Sequence, residues 1–299
     1  MDIKSNFSTD IAKKILGNKE QAIAFLLEMQ KANNFELPIK TILRGINKGK
    51  TFLALETNEV WAKIVEHWNF EIGEKIIREI FKTTSKYNSG KESYATMNIL
   101  LDEWENIHLG DLAWSFSQGD FDGFVQRLNS ENISGYEKDE KVKLAAVKYR
   151  RLKEINTVRN DFIETLIFEK NENILPTLNH RRSVDFFING ISFDQKVAKS
   201  PTNEFKRDFR ENWKSYAIEH PKKVAEYLYK YQGEGRFGAD NRLLVVYLDE
   251  DVAIERIAEI IDGTNLEEPL EVTFEYNHKN QGNKTYRVNC FVILLYNKN

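Results

Sequence analysis

Cysteine is almost absent: Cys290 stands alone in 299 residues, which excludes an intramolecular disulfide and a thiolate zinc cluster. Proline (5) and glycine (15) are also scarce, so chain breakers are few and long helices are favoured. No run approaches the ~18–20 uninterrupted apolar residues of a membrane span, so no membrane partner is expected. The start, Met1-Asp2-Ile3-Lys4-Ser5-Asn6, lacks the apolar core of a secretion signal, and a cytoplasmic location is expected. Charge of one sign is not in excess either. With 43 basic and 46 acidic side chains the net charge is −3, which argues against a protein that coats nucleic acid indiscriminately but not against a basic cleft. What is present is 41% hydrophobic, 30% charged and 12% aromatic, a globular composition long enough for one large domain or two.

Residues 1–140 read as a mainly helical region, with DNA recognition or dimerisation as candidate roles. Ala22, Ala24, Phe25, Leu26, Leu27 and Met29 have helical spacing, as do Ile76, Ile77, Ile80 and Phe81. Trp61, Ile64, Val65 and Trp68 fall at i, i+3, i+4 and i+7. The polar stretch 129–143 marks a boundary, and 141–299 reads as an α/β domain. A helical pattern runs from about Lys141 to Lys170, with a break expected near Asn156. Two β-rich runs, 184–188 and 191–197, flank Asn189-Gly190, the strongest short hairpin signal. Further on, the pattern predicts helices at Asn203–Glu219 and Lys222–Tyr231, a strand at Leu243–Leu248 and a helix at Val252–Ile261. Two last strands, Glu271–Tyr276 and Tyr286–Tyr296, are joined by a turn over Asn277–Lys284.

Several motifs fail on spacing or ligand chemistry. Gly45-Ile46-Asn47-Lys48-Gly49-Lys50-Thr51 has three residues between its glycines where a phosphate-binding loop needs four. Asp120-Phe121-Asp122-Gly123 would put Gln118 and Asn129 at the two strongest positions of a calcium loop, so a polar turn is expected there. The five histidines are scattered, no Gly-x-Ser-x-Gly occurs, and Cys290 lies in a strand pattern, where a buried structural thiol is the ordinary outcome.

One constellation survives. A two-residue turn at 189–190 pairs Ile188 with Ile191 and so sets Asp185 opposite Asp194, while Lys196, two residues on, shares a face with Asp194. The bare acid-x-Lys pattern occurs four times in the chain, but only this copy sits in a β-run with a second carboxylate across an Asn-Gly turn. Two carboxylates and a lysine on an apolar sheet need compensation, which a divalent cation with hard oxygen ligands supplies and a salt bridge also supplies. On spacing alone these two readings are even.

Residues 182–196, Arg-Ser-Val-Asp-Phe-Phe-Ile-Asn-Gly-Ile-Ser-Phe-Asp-Gln-Lys, resemble the signature of the PD-(D/E)xK nuclease superfamily, with Val184 in place of the nominal proline. The resemblance spans roughly 156–249. It implies a restriction endonuclease-like core: a helix, an antiparallel hairpin or meander carrying the motif, a helix and a further strand. It implies Asp185, Asp194 and the Gln195 carbonyl as ligands of Mg²⁺, with Mn²⁺ able to substitute, and Lys196 as the catalytic lysine. A glutamate on the preceding helix often joins such sites; Glu164 is the candidate and Glu169 the second. The implied activity is DNA phosphodiester hydrolysis leaving 5′-phosphate and 3′-hydroxyl ends. The size resembles that of a sequence-specific type II restriction endonuclease acting on double-stranded DNA as a homodimer.

Local charge accords with this, nine Lys/Arg facing five Asp/Glu from Lys196 to Lys230. Arg181, Arg182, Lys199, Lys206, Arg207, Arg210, Lys214 and Arg236 are candidate phosphate contacts, each with a solvated surface position as its other reading. Two alternatives keep or drop the chemistry. One is a structure-specific or single-strand nuclease of DNA repair or phage defence. The other is a non-catalytic DNA-binding or interaction module whose acids and lysine form only an ion pair.

Overall fold

The computed structural model describes residues 7–33, 57–92, 96, 118–170, 172–178, 184–231, 238–249, 252–278 and 282–298. By contact the chain divides into two compact units, Met1–Thr84 with Ile167–Asn299, and Ser85–Leu166. This differs from a cut into 1–140 and 141–299. The polar 129–143 stretch is no linker: its middle is a short turn between two helices of one unit.

The N-terminal part is helical: α1 (Thr9–Leu16), α2 (Lys19–Asn33), α3 (Thr57–His67) and α4 (Phe70–Lys82). Local chemistry sets the ends. Ser8 Oγ accepts from the Ile11 N–H and Asn69 Oδ1 from the Ile72 N–H, each satisfying an amide the first helical turn leaves orphaned. Gly17, at φ 78°, ends α1. Phe25, Leu26 and Met29 of α2 are buried with Val60, Trp61 and Ile64 of α3. Trp68, expected on the α3 stripe, lies just past that helix and stacks on Phe25 with centroids 4.8 Å apart.

In the second unit, α5 (Gln118–Ser130) and α6 (Gly135–Lys170, its last turn in the other unit) are the long helices. Two expectations are corrected here. Residues 120–123 lie inside α5 rather than in a polar turn. And α6 runs unbroken past Asn156, whose side chain takes a hydrogen bond from Arg159 one turn on.

Among the described residues the sheet has six strands, in the order β1-β2-β3-β4-β6-β5. They are β1 (Ile174–Pro176), β2 (Phe186–Ile188), β3 (Ile191–Ala198), β4 (Arg242–Tyr247), β5 (Leu270–His278) and β6 (Gly282–Leu295). β1, β2 and β3 form an antiparallel meander, β4 is parallel to both β3 and β6, and β5 closes the far edge antiparallel to β6. β1 was not expected from the sequence; it is three buried residues ending in a proline. The Asn189-Gly190 turn has φ 50° and 77°, both positive as a type I′ hairpin requires.

The chain crosses from β3 to β4 through α7 (Asn203–Phe209), a 3-10 turn (Arg210–Asn212), α8 (Trp213–Glu219) and α9 (Pro221–Lys230). The single helix expected over 203–219 is therefore broken, at Arg210, whose φ is 48°. Phe209 and Tyr216, seven residues apart, would stand about 10 Å apart along one straight helix; the break closes them to a 3.8 Å ring stack. Phe205, Ala217, Val224, Ala225 and Leu228 of these helices cover Leu244, Val246, Val272 and Phe274. α10 (Ile254–Gly263) packs on β6. None of the described helices is long and apolar enough to cross a membrane.

Candidate active site

The site is built where β4 begins. Ile188 pairs with Ile191 and Phe186 with Phe193, the register the Asn-Gly turn implies. Asp194 is the Cα partner of Arg242 in the parallel β3–β4 ladder, and Lys196 that of Leu244. By alternation Asp194 and Lys196 share the face that Leu244 and Val246 turn toward α7–α9.

Asp185 departs from the expectation. It lies one residue outside the β2–β3 ladder, and its N–H bonds Phe193 O at 2.9 Å, one residue short of the register partner. Its carboxylate does not stand in a cross-strand pair with Asp194. Instead Oδ2 accepts from the Gln195 N–H at 2.7 Å, which holds it against the strand that carries the other two residues. A carboxylate that takes a backbone N–H through a charge-assisted bond is fixed in place.

Asp194 is buried, with 9% of its side chain exposed, and Oδ2 takes two cations. Lys196 Nζ lies 2.7 Å away, and the Arg242 guanidinium is in direct contact through Nη1. The other guanidinium nitrogen reaches Asp240 Oδ2 at 3.2 Å. Arg242 has 6% of its side chain exposed, Lys196 35%; the arginine is a structural cation and the lysine reaches the surface. Burial weakens the Arg242 guanidinium's hold on its proton, and the nearby Asp185 carboxylate works against that loss. Neighbouring groups brace the cluster. Asn241 bonds Ser192 O and the Asn289 N–H through its amide and takes the Asp194 N–H on its carbonyl, joining β3, β4 and β6. The Tyr229 hydroxyl donates to Asp240 O at 2.9 Å.

Arg242 and Asp240 were not among the residues singled out from the sequence. The readable signal was an arginine heading an otherwise apolar strand, Arg-Leu-Leu-Val-Val-Tyr, buried at every position. A charge there needs a partner from the adjacent strand.

The other candidates are dispersed. Glu164 is on α6 in the Ser85–Leu166 unit and pairs with Lys86; Glu169 is in the last turn of the same helix. Gln195 turns its side chain to the opposite face from Asp194, where Oε1 is buried without a hydrogen-bond partner among the described residues. Arg207 bonds the adjacent Asp208, Lys206 lies over the Trp213 ring, and Lys214 pairs with Asp249. Arg210 is exposed at the α7–α8 break and Lys199 follows the end of β3. Arg181, Arg182, Arg236 and the 45–51 glycine loop lie outside the described residues. Cys290 is buried, which pushes its thiol up to about 12 despite Lys222 nearby.

Among the described residues no three His, Cys, Asp or Glu side chains come together as a metal-ligating group. In kind, the donors fit a hard divalent cation: two carboxylates by the middle of β3, with further positions left to water, as Mg²⁺ commonly takes them. In charge, Arg242 and Lys196 already compensate Asp194. Comparison with protein-family models, with curated proteins and with solved structures found no match, so the site has to be read from its own geometry.

Proposed function

We propose that the chain is a Mg²⁺-dependent endonuclease that hydrolyses DNA phosphodiester bonds, with a sequence-specific restriction endonuclease as the specific form. The observation that carries it is the convergence of Asp185, Asp194 and Lys196, the first bonded to the Gln195 N–H and the other two 2.7 Å apart. The order of elements supports it: the end of α6, the β1–β2–β3 meander, the α7–α9 crossover and parallel β4 follow the succession that the PD-(D/E)xK resemblance implies.

Asp185 and Asp194 would hold the cation, which when bound polarises the phosphate and acidifies a water. Lys196 keeps its ammonium at the surface end of the cluster, anchored on Asp194, where it orients the attacking water and offsets negative charge building on the phosphate. The water oxygen bonds to phosphorus as the bond to the 3′ oxygen breaks, and the proton lost by the water is balanced by the one the leaving oxygen gains. Cutting a duplex takes two such sites, which is the reason to propose a homodimer.

A second reading has its own observation. Arg242 and Lys196 alone neutralise Asp194, as they would in a DNA-binding or interaction module that does no chemistry. The test is incubation with mixed-sequence DNA at low salt, with and without Mg²⁺, beside Lys196→Ala and Asp194→Asn. Asparagine is preferred to alanine because it leaves Arg242 a hydrogen-bond acceptor. Discrete fragments that need Mg²⁺ and fall by about 100-fold or more in both variants are expected. A smear with the same dependence would point to the structure- or strand-specific nuclease. DNA bound but never cut would establish the module.

A further inference from the structure

Arg242 lies amid the acids of the cluster. Its guanidinium contacts Asp194 and Asp240 directly and is electrostatically coupled to Asp185. Without it, the buried Asp194 carboxylate would lose one of the two cations on its Oδ2. A buried carboxylate stripped of its partner is strongly destabilising, and it also becomes a strong attractor for any other cation. A divalent ion between Asp185 and Asp194 would bring its charge to the place the guanidinium already serves, and two cations on one carboxylate repel. The planar guanidinium adds a second effect: bonding Asp194 Oδ2 through one nitrogen and Asp240 Oδ2 through the other, it holds Asp194 Oδ2 at a set position.

We infer that Arg242 is the internal counter-ion of this site and the positioning residue for Asp194: its guanidinium stands in for the divalent cation while none is bound, and so sets how weakly the ion is held. The inference rests on the metal-binding part of the proposed function. The guanidinium is a tether that holds the cluster together, and a divalent ion would bind against its repulsion.

The test uses the full chain and Mn²⁺ as probe, followed by electron paramagnetic resonance and by thermal unfolding with chelator or with Mn²⁺. Arg242→Gln should melt lower than wild type in chelator. It should bind Mn²⁺ at least about tenfold tighter, equivalent to about 1.4 kcal/mol, and gain more in Tm from the ion than wild type does. Adding Asp194→Asn should erase the gain. Affinity equal to or weaker than wild type would overturn the inference, as would a gain that survives Asp194→Asn. If Arg242→Gln folds only when Mn²⁺ is present throughout purification, the inference is supported. If neither it nor Arg242→Lys folds even then, the ion is no substitute for the guanidinium and the inference falls. Wild-type DNA cleavage without the Mn²⁺ gain in Arg242→Gln would retire the counter-ion and leave the nuclease; the gain without cleavage would do the reverse.

Discussion

Away from the cluster, Asp249, just past β4, gathers several partners. Its carboxylate takes Lys214 Nζ at 2.9 and 2.7 Å and the Asn297 N–H at 2.8 Å, fastening α8 and the chain beyond β6 to the end of the central strand. Burial pushes the carboxyl up, but the lysine and the amide together outweigh it and hold the group below its ordinary value. A depressed acid contributes stability that is present above its unfolded pKa of about 3.9 and is lost as pH falls through the lower folded value. Asp249→Asn should therefore lower Tm at neutral pH, with the gap to wild type closing below about pH 4. Thermal melts of the two proteins across that range check it; a gap that stays constant to pH 2 would contradict the assignment.

At the scale of elements, the hairpin depends on Gly190, whose φ of 77° suits glycine and strains other residues. Gly190→Ala is expected to cost about 1 kcal/mol by chemical denaturation, while Asn189 at φ 50° belongs to a residue type that tolerates this region. That turn shows why some elements were legible in the sequence. Asn-Gly between β-rich runs specifies its own geometry locally, and with it the register that leads to Asp185, Asp194 and Lys196. β1 was not legible because three residues ending in proline carry no period; its place comes from pairing with β2. The α7–α8 break was not legible either, since no glycine or proline marks it; the stack of Phe209 on Tyr216 does. Residues 120–123 carry turn-type side chains yet continue α5, tertiary setting overriding local preference. In the site, the hairpin's acids and lysine could be read from spacing within one segment. Arg242, 48 residues beyond Asp194, needed the parallel register that no local pattern encodes.

For the whole molecule, the two units carry separate cores, and substitutions should report on them separately. In the Ser85–Leu166 unit, a Cβ on Gly90 would contact the Thr165 side chain and come within 2.6 Å of the Asp161 carbonyl, which, as helix backbone, has little freedom to retreat. Gly90→Ala should cost about 1–3 kcal/mol of that unit's stability. Hydrogen exchange read by segment should show the loss in α5 and the body of α6, with protection of β3, β4 and β6 unchanged. Uniform loss across both would contradict the division.

The sheet-bearing unit is discontinuous, and this has a consequence for how the protein is made. Arg78 of α4 donates to the carbonyl of Ile174 in β1, 96 residues later, and Ile15 of α1 receives the Leu178 N–H. On the ribosome, the first helices emerge long before the strand they must meet, whereas the Ser85–Leu166 unit is contiguous and can close as soon as it is out. The first helices thus wait through the synthesis of an entire unit before α4 meets β1 and Phe81 meets Phe168, a period in which association with a chaperone or with another nascent chain competes with folding. β6, made after β3 and β4, pairs with β4 along its whole length from Arg242 to Tyr247, so the strand that carries Arg242 gains its second neighbour only once β6 has followed it out.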